Sequence, residues 1–280
     1  MKKIAFITSM EDPSLTSDDL LLKEPLKAAG YEISPLIWDQ EQKAEFDGYI
    51  FRSCWNYHRK FHEFNMWLNN LENIKKPFIN PISVSRWNLD KKYLLELQKK
   101  GARVPETQVV LKGESLGEIE VKASKLVIKP AVSLNGHETY LVDARETEKI
   151  KAFTQSIAVE RDVLIQAFIP EIKTHGEISL IFIGGEFTHA IRKKTSTDEF
   201  RIHAEYGGTR ESFLPSRALI DTAEEIIKLA PGLLNFVRVD LVETDQGAKL
   251  IELEVIDPML YFAYSQNSVD AFVQMVKSSI

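Results

Sequence analysis

Two short runs near the carboxyl end restrict the fold more than any other part of the chain. The first is Phe236-Val237-Arg238-Val239-Asp240-Leu241-Val242. The second is Leu250-Ile251-Glu252-Leu253-Glu254-Val255, followed by Ile256-Asp257-Pro258. Side chains in a strand alternate between faces, so Arg238 shares a face with Asp240, and Glu252 with Glu254. Val237, Val239, Leu241, Leu253 and Val255 then line the opposite, apolar face. Thr244-Asp245-Gln246-Gly247 supplies the turn between the runs. Pairing the two strands brings three carboxylates and one guanidinium onto one surface.

Clustered carboxylates raise one another's pKa unless something neutralises them. Two readings follow: a solvated face balanced by cross-strand charge, or a site for a hard divalent cation such as Mg²⁺. From Asp240 to Asp257 there are six carboxylates, namely Asp240, Glu243, Asp245, Glu252, Glu254 and Asp257, against one lysine, Lys249. A basic set lies upstream: Arg192, Lys193, Lys194 and Arg201, with Gly207-Gly208 after them. Basic residues on flexible backbone suit a phosphate, and equally suit a solvated loop. Lys129 ends the apolar run Leu126-Val127-Ile128-Lys129, and a lysine buried there needs an anionic partner. Lys91 reads as a surface helix lysine on spacing alone.

The organisation is that of about two domains, from a length of 280 residues. Ile4–Ile7, a helix over Ser17–Ala29, Tyr31–Trp38 and Gly48–Phe51 alternate as strand, helix, strand, strand, which predicts a parallel sheet covered by helices. The Arg52-Ser53-Cys54-Trp55-Asn56-Tyr57 segment then falls at the carboxyl end of a strand, where such sheets carry function. Asp90 is placed to start a helix that Gly101 ends. Strands over 126–129 and 163–168 flank a helix over 146–156, and 178–191 reads as a hairpin turned by Gly184-Gly185. Residues 192–212 read as a polar loop, and 219–229 and 269–277 as helices. A net charge of −6 disfavours a general nucleic-acid coat. No apolar run is long enough for a membrane span, and the start is too short for a secretion signal, so the cytoplasm is the default compartment. The one cysteine, Cys54, precludes an intrachain disulfide and reads as packing. The P-loop, dinucleotide and nucleophile-elbow motifs are absent, and His58 and His62 lack an obvious third zinc ligand.

Six segments in order resemble the ATP-grasp ligases, which hold ATP between two α+β units. Asn88-Leu89-Asp90-Lys91 and Val127-Ile128-Lys129-Pro130 resemble the two ATP-lysine segments. Val163–Ile169 resembles the hinge that meets adenine, and His175-Gly176-Glu177-Ile178 the strand whose acid contacts the ribose. Arg238-Val239-Asp240 and Glu252–Pro258 resemble the metal-binding strands of D-alanine–D-alanine ligases and glutathione synthetases. Glu254 stands where many relatives have Asn, which keeps an oxygen ligand and adds a charge. The loop Ser133-Leu134-Asn135-Gly136 has one glycine where relatives often have more. Arg52–Tyr57, Asn80-Pro81, Arg86-Trp87-Asn88 and Glu252-Leu253-Glu254 resemble a narrower group, the O-ureido-serine cyclo-ligase of cycloserine biosynthesis and its relatives.

The resemblance implies an α/β protein: a parallel-sheet domain over 1–85, then an α+β ATP-binding part with a lid over 86–163 and a catalytic unit over 164–280. It implies ATP and one or two Mg²⁺ ions, with Mn²⁺ as the alternative, and a small carboxylate that is activated as an acyl phosphate and joined to an amine. Asp240, Glu252 and Glu254 would hold the metal. Lys91 and Lys129 would meet the non-transferred phosphates. Gln166, Ala167, Phe168 and Ile169 would meet adenine, and Glu177 the ribose. Lys193 and Arg201 would meet the γ-phosphate, Arg238 the oxyanion, and His203 metal or phosphate. Arg52 and Trp55 are expected at the carboxylate substrate. A homodimer is expected from relatives, with neither nucleic acid nor membrane as partner. An intramolecular cyclo-ligase and a non-catalytic ATP-binding module on the same fold are the competing functions.

Overall fold

The computed structural model describes residues 1–41, 45–196, 200–201 and 207–280. Among them the strands form three sheets. The first contains β1 (Lys2–Thr8), β2 (Tyr31–Ile37), β3 (Gly48–Ser53) and β4 (Phe78–Ile79), all parallel, in the order β2-β1-β3-β4. Its helices are α1 (Ser17–Leu20), α2 (Lys23–Ala28), α3 (Phe61–Leu71) and α4 (Ile82–Asn88). The single helix expected over Ser17–Ala29 is split. Pro25 has no N–H to offer the carbonyl of Leu21, and its ring crowds that carbonyl, so the ladder breaks at Leu21-Leu22. Thr16 caps α1 by accepting from the Asp19 N–H at 3.1 Å.

The second unit contains α5 (Tyr93–Lys99), ended by Gly101 at φ 109°, then β5 (Thr107–Val110), β6 (Lys125–Pro130), β7 (Tyr140–Asp143), α6 (Thr147–Ala158) and β8 (Val163–Ala167). Its strand order is β5-β8-β6-β7, antiparallel throughout. β8 pairs with β5 and β6, so this sheet runs on to Ala167 rather than stopping at 163, and the boundary expected at 85 falls inside α4.

The third unit follows the short helix α7 (Glu171–Thr174). It contains β9 (Glu177–Ile183), β10 (Glu186–Lys194), β11 (Thr209–Phe213), α8 (Arg217–Lys228), β12 (Phe236–Thr244), β13 (Gly247–Glu254) and α9 (Gln266–Ser279). The antiparallel order is β11-β10-β9-β12-β13. The polar stretch 192–212 is therefore partly strand. β10 continues through Lys194 and pairs with β11, because Lys193 points inward to buried acids while Lys194 faces solvent. One sheet face packs Ile178, Leu180, Val237, Val239, Leu241, Leu253 and Val255 against α8 and α5. The other packs Ile181, Ile183 and Phe236 under α9 and the first sheet. Among the described residues no helix is long and apolar enough to cross a membrane.

β13 ends this sheet, and side chains from far upstream satisfy its outer backbone. Asn88 donates to the Leu253 carbonyl at 2.5 Å and accepts from the Val255 N–H at 2.9 Å. The Tyr93 hydroxyl accepts from the Leu253 N–H at 2.9 Å. Asn80 sits fully buried at φ 57°, a left-handed conformation that Asn tolerates. It donates to the Phe236 and Val255 carbonyls at 2.8 and 2.7 Å and accepts from the Asn235 and Phe236 N–H groups at 2.7 and 3.3 Å. Buried backbone polar groups need partners, and these residues hold the carboxylate-bearing strand in place.

Candidate active site

The strand register places the charges expected on one face directly opposite one another. Asp240 pairs across β12–β13 with Glu252, and Arg238 with Glu254. On the other side Asp240 faces Ser179 of β9, and Glu177 faces Lys193 of β10. One oxygen from each of Asp240, Glu252 and Glu254 lies within 4.8 Å of the others. Arg238 donates from Nε to both Asp240 oxygens at 3.0 Å, and from Nη2 to Asp240 at 2.9 Å and to Glu254. Lys193 reaches Glu177 at 3.0 Å and Asp240 at 3.4 Å. Lys91 reaches Glu252 and the Ser133 carbonyl, both at 2.8 Å. Ser179 donates to Asp240.

Burial works against ionisation of Asp240, but Arg238 and Lys193 outweigh it and hold the carboxyl down to about 2. Burial dominates at Glu254 and Glu177 and pushes both upward. At Glu252 the Lys91 ammonium overcomes burial and lowers it. Four acids thus meet three cations that they already share. An all-oxygen donor set converging within a few ångströms suits Mg²⁺.

These residues form the floor of a cleft of about 360 Å³ between the second and third sheets. Its walls gather Lys91, Lys129, Gln166, Ala167, Phe168, Ile169, Glu177, Lys193, Arg201, Arg238 and Trp55 together with the three acids. The Ala167 and Phe168 N–H groups are bonded inside the fold, to the Glu106 and Lys125 carbonyls at 2.8 and 3.0 Å. Among the described residues the Ile169 N–H has no partner. Gln166 is turned to Thr107, at 3.0 Å. Lys129 has no ion-pair partner among the described residues. Burial first, and then the Lys91 charge, lower its pKa from 10.5 to about 8. Despite its single glycine, the loop Ser133–Gly136 lines the cleft, with Asn135 and Gly136 at φ 50° and 65°. His203 lies outside the described residues.

Arg52 is not on the cleft wall. Its side chain follows Ile50 onto the inner face of β3 and is 1% exposed. It pairs with Asp19 at 2.6 Å, donates to the Pro258 carbonyl at 3.2 Å and lies 5.8–6.0 Å from the rings of Phe236, Phe262 and Phe272. A guanidinium so enclosed is a strut between the first sheet and the 257–262 loop. The same loop wraps its Leu260, Tyr261 and Phe262 N–H groups around the Asp18 carboxylate at 2.7–3.1 Å. Trp55 does reach the cleft and donates to the Asp257 carbonyl at 3.3 Å. Cys54 is buried and its thiol is pushed up by burial, which suits packing.

Sequence reasoning missed Arg210 and Tyr261, both on the cleft wall. Tyr261 is a non-glycine residue at φ 55°, with Lys193, Arg210 and Arg238 at 5.3–5.9 Å from its ring centroid. Arg210 sits on a strand where the polar sequence predicts a loop. Tyr261 has no periodic pattern around it to mark it.

Residues 4–80 match the family model "D-cycloserine synthetase DcsG, N-terminal domain", and residues 91–263 match "Prokaryotic glutathione synthetase, ATP-grasp domain". The cycloserine biosynthesis protein DcsG of Streptomyces lavendulae is 25% identical over 97% of this chain and 96% of its own length. A probable alpha-L-glutamate ligase of Psychromonas ingrahamii is 26% identical over 61% of this chain and 56% of its own. Among solved structures, D-cycloserine synthetase DcsG superposes with a TM-score of 0.86, 22% identity and 99% coverage of both chains. D-alanine–D-alanine ligase from Bacillus anthracis complexed with ATP superposes with a TM-score of 0.71 and 17% identity, over 100% of this chain and 97% of that one.

Proposed function

The chain belongs to the ATP-grasp family of the prokaryotic glutathione synthetase type and is an ATP-dependent carboxylate–amine ligase, and from that premise we propose which residues carry the reaction and on what kind of acid. The observation that carries the reading is the converging set of buried Asp240 with half-buried Glu252 and Glu254, interleaved with Arg238, Lys193 and Lys91 at the floor of a cleft. The carboxylate is that of a small molecule, an amino acid or short peptide. A carboxylate oxygen attacks the γ-phosphorus of ATP and ADP leaves. An amine nitrogen then attacks the acyl carbon, phosphate leaves, and the nitrogen loses a proton to give the amide.

The adenine lies against Phe168 and takes the Ile169 N–H, and Lys91 and Lys129 face the phosphates that stay with ADP. Glu177 reaches toward the ribose from the strand where Lys193 holds it. Lys193 and Arg201 face the phosphoryl group in transfer, and Arg238 the oxyanion at the attacked carbonyl, where fixed positive charge lowers the barrier most. Asp240, Glu252 and Glu254 would hold one or two Mg²⁺, which neutralise phosphate charge when bound. The Ser133–Gly136 loop and Trp55 exclude water from the acyl phosphate. No covalent enzyme intermediate is needed, so positioning and electrostatics do the catalysis.

A cyclo-ligase that uses a nucleophile within the same molecule is supported by the DcsG-type N-terminal match and by the full-length likeness to DcsG. The test is ADP release by the full chain with ATP and Mg²⁺ across amino acids and small amines, with products read by mass spectrometry. Acid-dependent ADP release together with a condensed product is expected, and Glu252→Gln abolishes both. A phosphorylated acid as the end product would instead make the protein a kinase. ATP binding without turnover under every condition would make it a binding module.

A further inference from the structure

His58 carries no step of the ligation, yet its ring touches the segment that continues the Ser133–Gly136 loop. It lies in the turn that follows β3, at the carboxyl edge of the first sheet. That turn is fixed from within. The Tyr57 and Arg59 N–H groups donate to the Cys54 and Asn56 carbonyls at 2.9 and 3.0 Å, and Asn56 accepts from Trp38 and donates to Asp39, both at 2.7 Å. His58 is 6% exposed and both its ring nitrogens are closed to solvent. Its ring meets that of His137 at a centroid separation of 5.6 Å. Ser133, Leu134, Asn135 and Gly136, just before His137, line the cleft. Leu134 also packs against the apolar core of the first sheet, the cluster that holds Cys54, Tyr57 and Phe64. Asn135 and Glu138 stand at φ 50° and 51°, a conformation that a non-glycine residue keeps only where its surroundings hold it.

The loop is therefore held by partners outside itself. Arg161 pairs with Glu138, and Lys91 donates to the Ser133 carbonyl at 2.8 Å. The first unit adds the apolar seat of Leu134 and the ring of His58. The charged and titratable groups that face His58 are Arg59 from its own turn, His137 from the loop and Arg161 from the turn before β8. The Glu138 carboxylate of the loop is shared between Arg161 and His137, at 3.7 Å from the latter. Burial first, then Arg59 and His137, push the His58 imidazole from 6.5 down to about 4, against the pull of the Trp55 backbone carbonyl. We propose that His58 is a positioning residue: its neutral ring docks His137 and holds the Ser133–Gly136 loop closed over the nucleotide, and a proton on His58 releases the loop. This rests on the reading of the cleft as an ATP site and adds the residue that holds its cover. Once released, the ring meets water and takes up its proton at about 6.5, the ordinary imidazole value. Closing the loop expels that proton. The closed form has the lower pKa, so it is at full strength above about 6.5 and weakens as pH falls toward about 4. At pH 5.5 closure is weaker by about tenfold than at pH 7.5.

The test compares the full chain with His58→Phe, which keeps a ring at this position and takes no proton. The dissociation constant of a non-hydrolysable ATP analogue with Mg²⁺ is measured for both at pH 7.5 and 5.5. The nucleotide and the other groups of the cleft titrate in both chains, so the ratio of the two pH effects isolates His58. Between these pH values the wild type should lose about tenfold more affinity than the variant. A residue that only packs would shift affinity by the same factor at both. Hydrogen exchange reads the loop in the wild type alone, and so stands even if the variant does not fold. Protection of the amides of residues 134–139, corrected for the intrinsic rate, should fall by about tenfold from pH 7.5 to 5.5 while that of β6 holds. Equal pH effects in the two chains, or loop protection that ignores pH, would each overturn the assignment. Product analysis at pH 7.5 separates the two claims. A condensed product with equal pH effects sinks His58 and leaves the ligase, whereas unequal pH effects with no condensed product under any condition do the reverse.

Discussion

Replacing Lys129 by methionine separates what that lysine does for nucleotide binding from what it costs the fold. The ammonium ends β6 inside the cleft with no ion-pair partner among the described residues, and burial and Lys91 together bring its pKa from 10.5 to about 8. A tenfold change in proton affinity is worth about 1.4 kcal/mol. Without nucleotide the charge therefore burdens the folded state by at most about 3 kcal/mol at pH 7. The folded pKa is the lower one, so between about 8 and 10.5 the unfolded chain binds more protons, and the burden falls as pH rises. It is about 1 kcal/mol at pH 9.5. Lys129→Met without nucleotide should accordingly melt higher at pH 7, by on the order of 5 °C, with a smaller gain at pH 9.5. With ATP and Mg²⁺ the order reverses, because the triphosphate is the missing partner: the wild type gains stability and the variant does not. Thermal unfolding at the two pH values, with and without ATP, measures all four quantities. A variant that melts lower at pH 7, a gain independent of pH, or a variant that keeps the full ATP shift would refute the reasoning.

Two further substitutions probe how the site is held. Asn80→Ala strips partners from four backbone groups of Asn235, Phe236 and Val255 and forces a left-handed alanine. A loss of about 4 kcal/mol, read from the urea midpoint, is expected, and a loss under about 1 kcal/mol would show that water replaces the amide. Arg52→Met leaves the fully buried Asp19 carboxylate without its guanidinium and should cost about 3–5 kcal/mol. Adding Asp19→Asn should recover part of that loss, and ATP affinity should hold in both variants. A stable Arg52→Met protein with impaired carboxylate binding would instead place Arg52 in the site.

The charged floor of the cleft was legible because a strand's period of two forces it. Once residues 236–242 and 250–255 are strands, Arg238, Asp240, Glu252 and Glu254 share a face whatever the rest of the chain does. Lys193 was legible as a phosphate-type cation but not as strand, because its charged neighbours mask the alternation, and burial against Glu177 and Asp240 decides it. Arg52 shows the opposite failure. Its place at a strand's carboxyl end was right, but that position does not say whether a side chain turns outward to a ligand or inward to Asp19.

By itself the sequence determined the parallel first sheet, the charged strand pair and the ATP-grasp character of the later part of the chain, since each rests on local periodicity or on motif succession. Only the tertiary structure decided which groups are already partnered. Asn80 meets Val255 across 175 positions, Asp18 meets Phe262 across 244, and Arg52 is spent on Asp19. Such pairings depend on the packing of whole units against one another, and no local pattern encodes them.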